Sequence, residues 1–98
     1  MDNIFEVKDK TGRIIYLSGE RWKHIIVEHP SLANKIDDIK DTIVKPLIIN
    51  QSKYRKNVQY YYKYYKDKKL YLMAIVKYLN GKGFIMTSFY VKNIEDER

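Results

Sequence analysis

Arg21, His24 and Glu28 stand at i, i+3 and i+7, a spacing that gathers their side chains on one face of an α-helix. A histidine held beside an arginine and a carboxylate can be tuned as a general acid or base near neutral pH. Spacing alone favours the simpler reading, a solvated helix face with an ordinary surface histidine. His29 falls on the apolar side of the same stretch, directly before Pro30. There it can donate to the last helix carbonyls and complement the dipole when protonated. Five residues of separation put His24 and His29 about 140° apart on a helix, which disfavours a two-histidine metal pair.

Three further residues interrupt apolar strands. Lys77 follows Leu72-Met73-Ala74-Ile75-Val76, so its ammonium must reach the rim or serve a functional face. Thr87 and Ser88 separate Phe84-Ile85-Met86 from Phe89-Tyr90; hydroxyls in a buried strand need hydrogen-bond partners. Strand parity leaves two arrangements open. An even hairpin loop puts Lys77 with Met86 and Ser88, whereas an odd loop or a bulge puts Lys77 and Thr87 on one face. Upstream, Tyr60, Tyr62 and Tyr64 alternate with Tyr61, Lys63 and Tyr65. Aromatics interleaved with lysine on an open sheet face can stack bases beside phosphate-binding charges. Cross-strand aromatic packing accounts for the same pattern without a ligand. The expectation is packing on one face and recognition on the other.

The elements that must position these residues are legible in outline. Ile4 to Lys8 and Arg13 to Leu17 read as strands around the turn Asp9-Lys10-Thr11-Gly12. Ser18 is a good N-cap, Glu20 suits the first turn, and the apolar spacing of Trp22, Ile25 and Ile26 predicts a helix ended by Pro30. A second helix is expected from Ser31, with Leu32, Ile36, Ile39 and Ile43 inward, stopping before Pro46. Strands are then expected at Leu47 to Ser52, Val58 to Tyr65, Leu70 to Leu79 and Phe84 to Val91. A basic loop around Lys53, Arg55, Lys56 and Asn57 and the turn Asn80-Gly81-Lys82-Gly83 separate them. Segregated strands and helices predict an α+β fold, with two helices on one face of a twisted antiparallel sheet of about four strands.

Composition narrows the chemistry. The 98 residues suit one domain, 1–98, with a charged tail at 93–98. Without cysteine, disulfides, thiolate catalysis and cysteine-based zinc sites are excluded. No Gly-rich phosphate loop or dinucleotide fingerprint is present, so no cofactor and no metal are expected. No apolar run is long enough for a membrane span and the first residues lack a leader pattern, so the chain is expected in the cytoplasm, away from membranes. A net charge of +7 and ten tyrosines point toward a polyanionic partner, nucleic acid first.

Several segments, taken in order, resemble a known group. These are Arg21-Trp22-Lys23-His24-Ile25, Glu28-His29-Pro30-Ser31-Leu32, Pro46-Leu47-Ile48, Ser52 and Tyr61-Tyr62-Lys63, then Val76-Lys77 and Gly83-Phe84-Ile85-Met86-Thr87-Ser88-Phe89. The group is the small phage- and mobile-element-associated domains of the barnase, EndoU, colicin-nuclease and RelE-like (BECR) type, and the resemblance spans Gly12 to Ile94. It implies a RelE/barnase-like fold and a metal-independent endoribonuclease, often the toxin of a toxin–antitoxin pair. RNA and an antitoxin protein are the implied partners. His24 and His29 match the histidines of the helix motif, Lys77 the basic residue of the central strand, and Thr87 the hydroxyl of the last strand. RNA contacts are assigned to Arg21, Arg55, Tyr60, Tyr62, Lys63 and Ser88. The chain departs from the pattern at Ser88-Phe89, where a small residue and a tyrosine are expected, so a phenol would have to come from Tyr90 or Tyr62. Two other classes fit the same residues: a non-catalytic nucleic-acid-binding module, and an interaction domain whose sheet face or edge accepts a partner segment.

Overall fold

The computed structural model describes residues 3–94, so positions 95–98 of the charged tail lie outside the described residues. At the start, β1 (Asn3–Lys8) and β2 (Ile14–Ser18) pair antiparallel and turn Phe5, Ile15 and Leu17 inward. Asp9 shapes the turn between them: its Oδ1 accepts from Thr11 N at 2.9 Å, Thr11 Oγ1 at 2.8 Å and Arg13 N at 2.9 Å. Gly12 supplies the left-handed backbone at φ +89°.

Ser18 ends β2 and caps α1 (Gly19–Glu28), its Oγ accepting from Arg21 N at 3.1 Å. The helix stops at Glu28 because the residue before a proline is driven out of the α region; His29 adopts φ −134° and ψ 74°. The second helix expected from Ser31 is divided. A single 3-10 turn (Pro30–Leu32) buries Leu32, and α2 (Ile36–Val44) begins after Lys35, whose φ of −116° breaks the helical path.

The strands correct the expected fold. β3 (Ile48–Gln51), β4 (Val58–Tyr65), β5 (Leu70–Leu79) and β6 (Lys82–Val91) form the antiparallel meander. The sheet, however, has six strands in the order β1-β2-β6-β5-β4-β3 and is mixed, not a four-strand antiparallel sheet of the RelE/barnase kind. The N-terminal hairpin joins it through a parallel pairing, Ile14, Ile15 and Tyr16 opposite Lys82, Gly83 and Phe84. Gly83 makes that seam fit: a Cβ there would lie 2.7 Å from Ile15 Cδ1 and 2.9 Å from Val76 Cγ1.

Two apolar clusters divide the sheet faces. The larger joins Ile25, Leu32, Ile39 and Ile43 of the helical segments to Leu17, Tyr61, Leu72, Val76 and Ile85 of the sheet. Tyr61 sits at its edge, fully buried, donating its phenol to Asp9 Oδ2 and meeting the Tyr78 phenol, with the Arg13 guanidinium 4.4 Å from the Tyr78 ring centroid. On the opposite face Val58, Tyr60, Tyr62 and Met73 form a second cluster, flanked by Ile75, Met86 and Phe89.

The β5–β6 hairpin settles the parity of Lys77 and Thr87. Its loop is two residues, Asn80 (φ +53°) and Gly81 (φ +82°), between Leu79 and Lys82, the backbone of a type I′ turn. An even loop alone would separate Lys77 from Thr87. The register then shifts: Val76 faces Ile85 but Ile75 faces Thr87, leaving Met86 as an extra bulge residue. The bulge returns Thr87 to the face that carries Ile75 and Lys77.

Candidate functional site

A cleft of about 330 Å³ opens where α1 lies against β6. The helix contributes Arg21, His24 and Glu28, all exposed, which confirms that the i, i+3, i+7 face points away from the core stripe of Ile25. His29 joins them from just beyond the helix end. The expected 140° separation of the histidines assumed a helix continuing through position 29. Pro30 ends the helix one residue earlier, and both histidines line one cleft.

Strand β6 forms the other wall with Met86, Thr87 and Phe89. The His29 ring rests on Phe89, centroids 5.0 Å apart and planes at 31°, which fixes its orientation. Arg21 is steered in the same way, its guanidinium 5.9 Å from the Phe84 centroid. Thr87 Oγ1 is buried and has no hydrogen-bond partner among the described residues. A buried hydroxyl without a partner is costly, by about 1–3 kcal/mol, and Thr87 carries it in the wall of the cleft. Arg21 and Glu28 bring one charge of each sign to the cleft.

Lys77 is half-buried on the same sheet face but does not line the cleft. Two residues beyond the Ile75–Thr87 pair, its backbone is about 8 Å from that of Thr87 by strand geometry, within reach of a four-carbon stem.

The remaining expected contacts scatter. Ser88 is fully buried on the helix-covered face, donating to Met73 O at 2.6 Å, so it is a core hydroxyl with a partner, turned away from the cleft face. Lys63 also lies on that side, opposite Leu72, with its Nζ 4.0 Å from Asp41. Tyr60 and Tyr62 are on the cleft face but only 7% and 3% exposed. Their rings are packed into the second cluster rather than spread as an open stacking platform, so both faces of the tyrosine strand serve packing. Arg55 is exposed in the β3–β4 loop, its Nη2 donating to Tyr60 Oη at 2.7 Å. Of the expected set, the structure therefore gathers Arg21, His24, His29 and Thr87. Sequence reasoning missed Met86 and Phe89 as cleft walls; the bulge that aims them leaves no mark in residue spacing.

Among the described residues no three acidic or histidine side chains group as a metal site would require. Within the same residues no helix is long and apolar enough to cross a membrane. Comparison with protein-family models, curated proteins and solved structures finds no match to this chain.

Proposed function

We propose that this chain is a metal-independent endoribonuclease, the toxin of a toxin–antitoxin or mobile-element system acting in the cytoplasm. One observation carries the reading: Arg21 and His24 of α1, with His29 just beyond its end, share a cleft with Thr87 of β6, whose hydroxyl has no partner among the described residues. General acid–base cleavage of RNA needs that set, namely a base, an acid and donors for the phosphoryl oxygens. The resemblance of the helix and last-strand segments to BECR nucleases and the net charge of +7 support it.

His24 accepts the proton of a ribose 2′-hydroxyl, whose oxygen attacks the adjacent phosphorus. The P–O5′ bond breaks as His29 gives its proton to the leaving oxygen, producing a 2′,3′-cyclic phosphate and a free 5′-hydroxyl. Arg21 and Thr87 donate to the non-bridging oxygens, where charge builds, and Lys77 adds its charge from the neighbouring strand. An antitoxin would act by covering this face.

Incubation with mixed cellular RNA in EDTA tests the reading. Wild-type protein should yield cyclic-phosphate ends, and His24→Ala should lower the rate by about 10²–10⁴-fold while RNA still binds. Equal cleavage by His24→Ala removes that residue from the mechanism. RNA that stays intact despite salt-sensitive binding to wild type replaces the nuclease with a binding module.

A further inference from the structure

The loop between β3 and β4 is built to hold its side chains outward. Buried Ser52 anchors one end, its N–H donating to Val58 O at 2.9 Å and its Oγ accepting from Arg55 N at 2.9 Å and Tyr54 N at 3.3 Å. At the other end Asn57, at φ +62°, accepts from Tyr78 N at 2.8 Å through its carbonyl. Tied to two strands, the loop displays Lys53, Lys56 and a Tyr54 that is 67% exposed. The chain buries Tyr60, Tyr61 and Tyr62, and Tyr54 is more exposed than Tyr64, at 67% against 43%, and stands between Lys53 and Lys56. That loop also leads into a charged row. Val58 stands opposite Lys77, Lys77 opposite Phe84, and Arg21 lies over Phe84 at the mouth of the cleft. Two strand spacings of about 4.8 Å separate Val58 from Phe84, and with the Arg21 guanidinium 5.9 Å from the Phe84 ring centroid the row is about 15 Å long.

We propose that the 53–56 loop is an anchoring subsite for single-stranded RNA, with Tyr54 stacking one base and Lys53 and Lys56 holding phosphates. Lys77 and Arg21 then lead the strand across the sheet to the cleft. The inference rests on the ribonuclease reading and adds the side from which substrate enters. Charge alone would serve an acidic protein; an exposed aromatic set between cations is the pattern that binds bases and backbone together.

The test is fluorescence anisotropy with a labelled 2′-O-methyl oligoribonucleotide of about 12 nucleotides, which has no 2′-hydroxyl to attack and cannot be cut. Tyr54→Ala should weaken binding about tenfold with an unchanged salt slope, and Tyr54→Phe should restore it, because stacking uses the ring. The Lys53→Ala/Lys56→Ala double variant should flatten the slope of log K against log salt by about 1.4. Wild-type affinity and slope in all variants overturn the subsite, as does equal loop-dependent binding of a polyglutamate peptide. Cleavage in EDTA reports separately on the ribonuclease reading. A chain that binds through the loop but never cuts keeps the subsite, and one that cuts without loop dependence loses it.

Discussion

Tyr61→Phe removes one oxygen from the junction of the N-terminal hairpin with the sheet, and its cost follows from what that oxygen does. The Tyr61 phenol donates to Asp9 Oδ2 and contacts the Tyr78 phenol, while Asp9, 6% exposed, ties Thr11 and Arg13 into the hairpin turn. A hydrogen bond to a charged group contributes about 1.5–3 kcal/mol, and Tyr78 Oη, 3.4 Å from Asp9 Oδ2, is a weak substitute. A loss of about 2 kcal/mol lowers a urea midpoint by roughly 1–2 M for a domain of this size, measurable through Trp22 fluorescence. The pH dependence identifies the cause. Burial raises the Asp9 pKa, but hydrogen bonds from Tyr61, Thr11 and Arg13 outweigh it and hold the carboxyl below its ordinary value. A depressed folded pKa contributes stability that is present above the unfolded value of about 3.9 and is lost as pH falls through the folded pKa. The gap between wild type and Tyr61→Phe should therefore be full at pH 7 and close below about pH 4. Equal midpoints at pH 7, or a gap of constant size down to pH 3, would refute the account.

Other consequences follow from single contacts. Gly83→Ala drives a methyl into Ile15 and Val76 and should cost about 1–3 kcal/mol, read as a lower melting temperature. A melting temperature equal to wild type would show that the β2–β6 seam tolerates the added methyl. Ser88→Ala loses the bond to Met73 O and should cost about 1 kcal/mol with cleavage per folded molecule unchanged, whereas Thr87→Val removes a buried unpartnered hydroxyl and should melt above wild type and cleave poorly; the reverse pattern would exchange their roles. Tyr65 is pushed up to about 12 by burial first and then by Asp38 and Asp41. A raised folded pKa contributes stability present below the ordinary value of about 10 and lost as pH climbs through the folded one. The difference in 295 nm absorbance between wild type and Tyr65→Phe should thus show Tyr65 ionising late in native protein and normally in urea.

Most of the elements were written in local residue types. Ser18, Pro30 and Asn80-Gly81 set a cap, a stop and a turn, and Val58–Tyr65 and Leu70–Leu79 fold over the spans their composition predicts. What local pattern could not show was pairing between distant segments. Ile14 to Tyr16 meet Lys82 to Phe84 in parallel, and parallel contacts between remote strands carry no period of their own. The tyrosine strand misled for a related reason. Alternation assigns Tyr60 and Tyr62 to one face and Tyr61 to the other, but not whether a face is open, and both proved packed.

The candidate site depends on two irregularities, each of which cancels a regular expectation. On a continuous helix His24 and His29 would diverge; Pro30 ends α1 so that His29 swings onto Phe89 and into the cleft. On a regular hairpin Thr87 would face the helices with Val76; the extra residue at Met86 turns it toward Lys77 and the histidines. Both are placed by backbone breaks, not by periodicity, and both bring a polar group to the same cleft. Restoring regularity should dismantle the site without unfolding the chain. Pro30→Ala lets α1 continue through His29 and carries the His29 ring off Phe89, so the variant should lose cleavage and retain RNA binding through the loop, measured on the same oligonucleotide. Cleavage that survives the substitution would show that the helix break at Pro30 does not position His29.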